Sequence, residues 1–502
     1  MKRLGFTIVK NALANVVRGG ATAIVALALP HYLTRALSHD RFAAWVLLLQ
    51  IAAYANFFDF GLQTAVARYL AQSMERGDGV QRDRLVSTAL ALLTIGGVLA
   101  FSVIGLIILT LPHLFHRLPL GLAGELRLGL LVMVASASLS LPMSTFTGVL
   151  IGLHRNEFPA LAIGGSRILG AIAVLVSVHF TQSLIWLALC LAVFNLFGGL
   201  AQCVIAARLL PDMQVKLVYV SSHMAKELVR YCFGLTVYSL SMLVVSGLDV
   251  IIVGYFNFGE VGYYAVAATL ITFVAGFSNS VFGALMTPVA VLQARGEVER
   301  IRDLVVHTTR LSSYASLAIT LPVFVYGFAA LKLWVGSTYA SQALPILEIL
   351  LVAQAVRLIG SSYCIMLIAT GQQKYGIAVA LIEAVSNLVF SIAGAIWIGP
   401  IGVAWGTLIG ATIAIICLFP FSMHRAAEVP IPSFMFIREG ILLPILAATP
   451  LLIYLLLMGT QNPSRKSIGA LAAASLVSIL LALSSGKLRP TMLQTRIASH
   501  IK

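Results

Sequence analysis

Four arginines and four carboxylates stand where this sequence is otherwise apolar. Arg18, Arg68, Arg167 and Arg357 fall within or at the edge of long runs of Leu, Ile, Val, Ala and Gly, and so do Asp59, Asp249, Glu348 and Glu383. An ionisable group in a membrane-spanning helix is expensive unless it faces a partner or a wet cavity, so each marks a candidate site. Their neighbours are polar at helical spacing. Asn11, Asn15 and Arg18 share one face, which Thr22 continues, and Gln354, Arg357 and Ser361 repeat the pattern. Asn56, Asp59 and Gln63 form a third stripe, Tyr238, Ser241, Val245 and Asp249 a fourth, and Glu383, Asn387 and Ser391 a fifth. Residues three, four and seven apart lie on one side of a helix.

Arginine narrows the chemistry. Guanidinium stays charged in a low-dielectric site and binds phosphate through two parallel hydrogen bonds. Arg18, Arg167 and Arg357, with Arg68, are therefore the expected lining of a cationic cavity for an anionic ligand such as a phosphate or pyrophosphate head group. Asn11, Asn15, Gln63, Tyr238, Gln354 and Asn387 are its expected polar stripes. Asp59, Asp249 and Glu383 are candidates for ion coupling by H⁺ or Na⁺, with no other cofactor expected. The competing reading is interhelical ion pairing that fixes the bundle. Arg68 lies near the end of its span and can snorkel; Glu348 lies near the outer end of its own.

The elements that must hold these groups follow from composition. The 502 residues are 60% hydrophobic and only 10% charged, with a mean hydropathy of +0.98. A soluble chain carries about 25% charge, so a water-soluble enzyme and a disordered chain are both excluded. Fourteen apolar stretches of about 20 residues, enough to cross the bilayer as helices, fall near 11–34, 43–70, 85–111, 127–152, 159–178, 183–207, 231–254, 262–289, 310–335, 344–369, 375–398, 401–422, 440–458 and 467–485. The expected fold is an all-α polytopic membrane bundle, and the first stretch is read as an uncleaved helix because it exceeds a signal-peptide core. The inner loops near 208–230 and 290–310 are expected to form amphipathic surface helices, and the longest outer loop to lie around Phe115–Glu125.

The net charge of +15 would suggest nucleic acid in a soluble protein. Placed on alternating sides from a cytoplasmic N-terminus, 22 of the 33 Lys and Arg fall inside, six outside and five within spans. That asymmetry is an orientation signal: both termini are expected in the cytoplasm, and no nucleic-acid partner is expected.

The chain also repeats itself. Arg76-Gly77-Asp78 with Leu85-Val86 returns as Arg295-Gly296-Glu297 with Leu304-Val305, 219 residues later. Asp40 corresponds to Glu260 at an offset of 220, and Phe60-Gly61 to Phe282-Gly283 at 222. Six helices separate the copies, so the halves are expected to be parallel repeats about an axis along the membrane normal. The expected division is an N-terminal six-helix half over 1–210, a cytoplasmic linker over 211–230, a second half over 231–425, and two further helices with a tail over 426–502.

An enzyme is not expected. The sequence has no phosphate-binding G-x-x-x-x-G-K-[ST], no H-E-x-x-H and no G-x-S-x-G. His39, Asp40, His113, His116 and Glu125 on the outer side have no acid/base or metal-ligand spacing. Cys190, Cys203, Cys232, Cys364 and Cys417 lie in or beside apolar spans and read as packing residues.

The run Phe57-Phe58-Asp59-Phe60-Gly61-Leu62-Gln63-Thr64-Ala65-Val66-Ala67-Arg68 resembles the D-[LF]-G-L…R segment of Wzx-type polysaccharide-export flippases of the multidrug/oligosaccharidyl-lipid/polysaccharide (MOP) exporter superfamily. Gly247-Leu248-Asp249-Val250-Ile251-Ile252-Val253-Gly254-Tyr255-Phe256, followed by Val261-Gly262-Tyr263-Tyr264, is similar to their D-x-x-x-[LV]-G-x-[FY]…V-G-x-Y pattern. Phe42-Ala43-Ala44-Trp45 departs from the family's Gly-x-Tyr/Trp at the start of the second span. The resemblance covers essentially the whole chain. It implies transport of an undecaprenyl-pyrophosphate-linked oligosaccharide from the cytoplasmic to the periplasmic leaflet of a bacterial inner membrane. Other polysaccharide-assembly proteins are then expected partners beside the lipid-linked oligosaccharide and the bilayer. A lipid II flippase, a cation-coupled multidrug exporter and a membrane glycan polymerase or ligase are the alternatives.

Overall fold

The computed structural model describes residues 24–458 apart from 116–117, 284, 419–422, 424–428 and 430. Twelve of its helices are long and apolar enough to cross a membrane, from His39–Arg76 to Ser433–Pro450. They match the second to thirteenth expected spans one for one. The fourteenth, most of the first, and with it Asn11, Asn15 and Arg18, lie outside the described residues.

Two loop expectations are corrected. No separate surface helix forms at 208–230: a single 3-10 turn at Leu217–Tyr219 precedes a helix that starts at Ser222 and continues as the seventh span. The 290–310 region likewise divides between the end of helix Met286–Ala294 and the continuous helix Val298–Val335. Lys226 and Arg230 thus stand in the first turns of the seventh span, and Arg300 and Arg302 in those of the ninth. Between the third and fourth spans the helix restarts at Leu120, which leaves a loop shorter than expected.

Three spans are broken. The second runs as helix His39–Ala53, a 3-10 turn over Tyr54–Asp59, left-handed Phe60 and Gly61 (φ 50° and 76°), and helix Leu62–Arg76. The eighth is interrupted at the paired position, after Gly283, before resuming as Met286–Ala294. The seventh breaks at Leu248, between Ser222–Gly247 and Asp249–Phe256.

The repeat is visible as backbone geometry. Gly77 donates to the Met74 carbonyl and Asp78 to that of Ser73; Gly296 donates to Gln293 and Glu297 to Leu292. Both glycines have positive φ, the left-handed helix stop that glycine adopts without a Cβ penalty. A second matched pair of stops joins His154 (to Ile151, with Arg155 to Leu150) and Gly371 (to Ile368, with Gln372 to Leu367). Here glycine has a non-glycine counterpart, since His154 holds φ at 58°. The His39 imidazole Nε2 hydrogen-bonds the Gly259 carbonyl, 220 residues away, which is the offset of the sequence repeat.

The described residues form two compact units, one of Met1–Asn279, Leu331–Leu350 and Ile377–Ala414, the other of Ser280–Ala330, Leu351–Gly376 and Ile415–Lys502. In the first, Arg41 grips Glu125 at 2.9 Å, and the same carboxylate accepts from the Leu184 amide, tying the second, fourth and sixth spans together. In the second, Arg310 donates to Glu439 at 3.0 Å and contacts His307 at 3.0 Å. Glu439 sits in a π-helical turn, Arg438–Leu442, whose Gly440 lies against Thr309. The thirteenth span is thereby fixed to the ninth.

The eleventh and twelfth spans pack backbone to backbone. Gly402, Gly406 and Gly410 recur every four residues, and a methyl group at Gly406 would lie 2.3 Å from the Ser391 nitrogen. Small residues let membrane helices approach until van der Waals contact and side-chain hydrogen bonds hold them. That approach positions the site.

Candidate functional site

The seventh span lacks proline, yet its helix stops at Leu248, which strands carbonyls in an apolar setting. A buried unsatisfied carbonyl is costly, and membrane helices tolerate breaks only where neighbours supply donors. Gln50 Nε2 donates to the Gly247 carbonyl at 2.9 Å and the Tyr54 hydroxyl donates to the same oxygen at 2.5 Å. From the eleventh span, Asn387 Nδ2 reaches the Val245 carbonyl at 3.4 Å.

Asp249 opens the helix after the break and is only 6% exposed. Its Oδ2 accepts from the Tyr264 hydroxyl and the Thr407 hydroxyl, each at 3.0 Å. Ser391, fully buried, donates to the Val403 carbonyl one turn before Thr407. Glu383 is buried one turn before Asn387. The second, seventh, eighth, eleventh and twelfth spans thus meet within one compact unit around a carboxylate. A buried carboxylate held by hydroxyl donors can take up a proton or hold a monovalent cation among oxygen ligands.

The other expected residues are placed as follows. Asp59 is half-buried in the 3-10 turn of the second span, where its Oδ1 accepts from the Gln63 amide at 3.4 Å. Arg68 is exposed, with its guanidinium 5.0 Å from the centre of the Tyr231 ring. Arg167 is exposed on helix Glu157–Ser177. Arg357 is half-buried in the second compact unit and donates to the buried Gln354 at 3.0 Å. Tyr238 lies on the seventh span about three turns before the break. Glu348 is on the tenth span, within helix Ser337–Ala369. Among the described residues no group of His, Cys, Asp and Glu could hold a metal ion, and all five cysteines are free; Cys232 is buried and the other four half-buried.

Four participants were not singled out from the sequence: Gln50, Tyr54, Tyr264 and Thr407. Tyr264 belongs to the V-G-x-Y run quoted above, and Thr407 follows the second glycine of the four-residue series. Of the two, Tyr264 carried a readable signal in that run, whereas the hydroxyl of Thr407 did not announce a contact with another span. Gln50 and Tyr54 carried none, because a polar residue in a broken span has no distinctive spacing.

The family described as "Polysaccharide biosynthesis protein" matches residues 8–291, more than half of the chain. Among curated proteins no sequence match was found. Among solved structures the chain is similar to a lipid II flippase, MurJ, in an inward closed conformation, at 14% identity and a TM-score of 0.71, covering 95% of this chain and 97% of that one. It is similar to an inward-facing multidrug resistance MATE transporter of the MOP superfamily, at 17% identity and a TM-score of 0.61 over 81% and 98% of the two chains. A mutant of the Vibrio cholerae MATE transporter VcmN matches at 16% identity and a TM-score of 0.61 over 83% and 96%. At these identities the likeness shows a shared fold. Together with the family match and the twelve candidate spans it makes the chain a multi-pass membrane protein of that fold. The chain belongs to the family described as "Polysaccharide biosynthesis protein" and shares the fold of the lipid II flippase and of the MATE transporters.

Proposed function

We propose that this transporter flips an undecaprenyl-pyrophosphate-linked oligosaccharide repeat unit from the cytoplasmic to the periplasmic leaflet by alternating access. The observation that carries the reading is the presence of arginines inside apolar spans of a polysaccharide-biosynthesis transporter, with Arg167 and Arg357 on the fifth and tenth. A guanidinium there suits a pyrophosphate, whereas a cationic drug would be repelled. Arg18 and Arg68 belong to the same proposed set. The polar stripes of Asn11, Asn15, Gln63, Tyr238, Gln354 and Asn387 are proposed to hydrogen-bond the sugar.

Asp249 is the proposed coupling residue, with Glu383 beside it on the eleventh span and Asp59 in the second. Taking up H⁺ or Na⁺ would change the charge at the break of the seventh span, where five spans meet. The excess of Lys and Arg on one set of loops supports a bacterial inner-membrane protein with both termini in the cytoplasm under this reading. A lipid II flippase is the second reading, favoured by the coverage of the MurJ likeness, and it shares the pyrophosphate chemistry.

The test replaces Arg167 and Arg357 together with alanine. Surface glycan should fall while lipid-linked repeat units accumulate in the cytoplasmic leaflet. Normal surface glycan in the double variant overturns the arginine assignment. Loss of polymer length with intact translocation points to a polymerase instead. Accumulation of lipid II without a change in surface glycan selects the second reading.

A further inference from the structure

The helix that opens the seventh span carries two cavities that merge into one groove. The first, of about 470 Å³, is lined by Ala225, Lys226, Val229, Arg230 and Phe233. The second, of about 320 Å³, shares Val229 and Phe233 and continues past Leu92, Ile95 and Leu99 of the third span. It ends against Phe60, the left-handed residue at the break of the second span, whose carbonyl accepts from Thr236 at 3.1 Å. The groove walls are almost wholly carbon. Its rim is open, since Ile95, Leu99, Val229 and Phe233 are all exposed.

The two ends differ in chemistry. Lys226 and Arg230 are exposed one turn apart at the groove's mouth, and neither has a carboxylate within ion-pair distance among the described residues. Glu227, between them, lies against Tyr69 instead. The 35 residues of Ser222–Phe256 are more than the roughly 20 needed to cross the hydrocarbon. The first turns of this helix therefore reach the head-group layer, where lysine and arginine meet lipid phosphates. From Lys226 to Thr236 the helix rises about 15 Å, one leaflet's hydrocarbon depth. A cationic mouth at head-group level, above an open apolar groove about one acyl chain deep, matches a single lipid.

We infer that this groove is a binding site for an anionic phospholipid of the surrounding leaflet, with its phosphate on Lys226 and Arg230 and an acyl chain lying between the third and seventh spans up to Phe60. The depth argues for a phospholipid over the much longer isoprenoid chain of a polyprenyl carrier. The inference does not depend on the transported substrate. It brings membrane lipid into contact with two elements beside broken spans, Phe60 and the Thr236 turn.

The experiment uses the full chain in phosphatidylcholine nanodiscs with photoactivatable phosphatidylglycerol or phosphatidylcholine probes of identical acyl chains. Crosslinks are mapped by mass spectrometry. Phosphatidylglycerol should label the peptides carrying Leu99 and Phe233 several-fold more than phosphatidylcholine does. In the Lys226→Gln/Arg230→Gln variant the two probes should label these peptides equally. In Leu99→Trp, both should lose labelling there while labelling elsewhere persists. Equal labelling in the unmodified protein overturns the inference, and that comparison stands even if a variant fails to fold. So does a preference for phosphatidylglycerol that survives the double substitution, or displacement of the probe by equimolar unlabelled polyprenyl phosphate.

Discussion

The Thr407 hydroxyl lies 3.0 Å from Asp249 Oδ2, across 158 residues of sequence, and donates a hydrogen bond to it. The same hydroxyl lies 3.2 Å from its own Val403 carbonyl. Thr407 thus sits between the helix it belongs to and the carboxylate of a second helix. With Tyr264 it places two neutral hydroxyl donors on one carboxylate oxygen.

Asp249→Asn keeps the size and most of the hydrogen bonding while removing the titrating group. The variant should reach the membrane in normal amount, and flipping in proteoliposomes should lose its response to an imposed H⁺ or Na⁺ gradient. A loss of about tenfold in driven rate corresponds to about 1.4 kcal/mol. An unchanged gradient response excludes Asp249 from coupling.

Gln50 and Tyr54 both donate to the Gly247 carbonyl, so either alone should keep that oxygen satisfied. Tyr54→Phe and Gln50→Leu should each lower thermal stability slightly. The double variant should lose more than the sum, because the buried acceptor is left unpaired at a cost of about 1–3 kcal/mol. Melting of the detergent-purified variants in a double-mutant cycle measures this, and strict additivity would show that the two donors act separately.

Gly406→Ala places a methyl group 2.3 Å from the Ser391 nitrogen, which no side-chain rotation relieves. The eleventh and twelfth spans must then separate, which draws Thr407 away from Asp249. Folded yield should fall sharply, in keeping with overpacking costs of about 1–3 kcal/mol or more. Gly105→Ala, in a helix where a methyl group meets nothing within 4 Å, is the matched control and should be neutral or stabilising.

His154 occupies the left-handed position that its repeat counterpart gives to Gly371. Left-handed backbone costs a non-glycine residue roughly 1–2 kcal/mol. Glycine gives back part of that gain as lost chain entropy when the protein folds. His154→Gly should therefore raise the melting temperature modestly, and a lower one would mean that the imidazole makes a contact worth more than the strain.

Several levels of the architecture were legible in the residues themselves. Hydrocarbon thickness dictates span length, so twelve spans stand where apolar runs of that length occur. The Arg-Gly-acid repeat was legible because glycine at a helix stop is a local requirement, met by the same hydrogen bonds at Gly77 and Gly296. Asp249 was legible because a charge inside an apolar run is costly wherever it points. Its partners were not. A threonine in a membrane helix satisfies its own hydroxyl on the preceding turn, so Thr407 gave no sign of reaching another span. The break at Leu248 has neither proline nor left-handed glycine to announce it. It exists because Gln50, Tyr54 and Asn387, from the second and eleventh spans, hold carbonyls that an unbroken helix would have used. Local chemistry set which helices form and where glycine stops them; only the approach of distant helices, down to backbone contact at Gly406, decided where the seventh span breaks and which polar groups share one buried site.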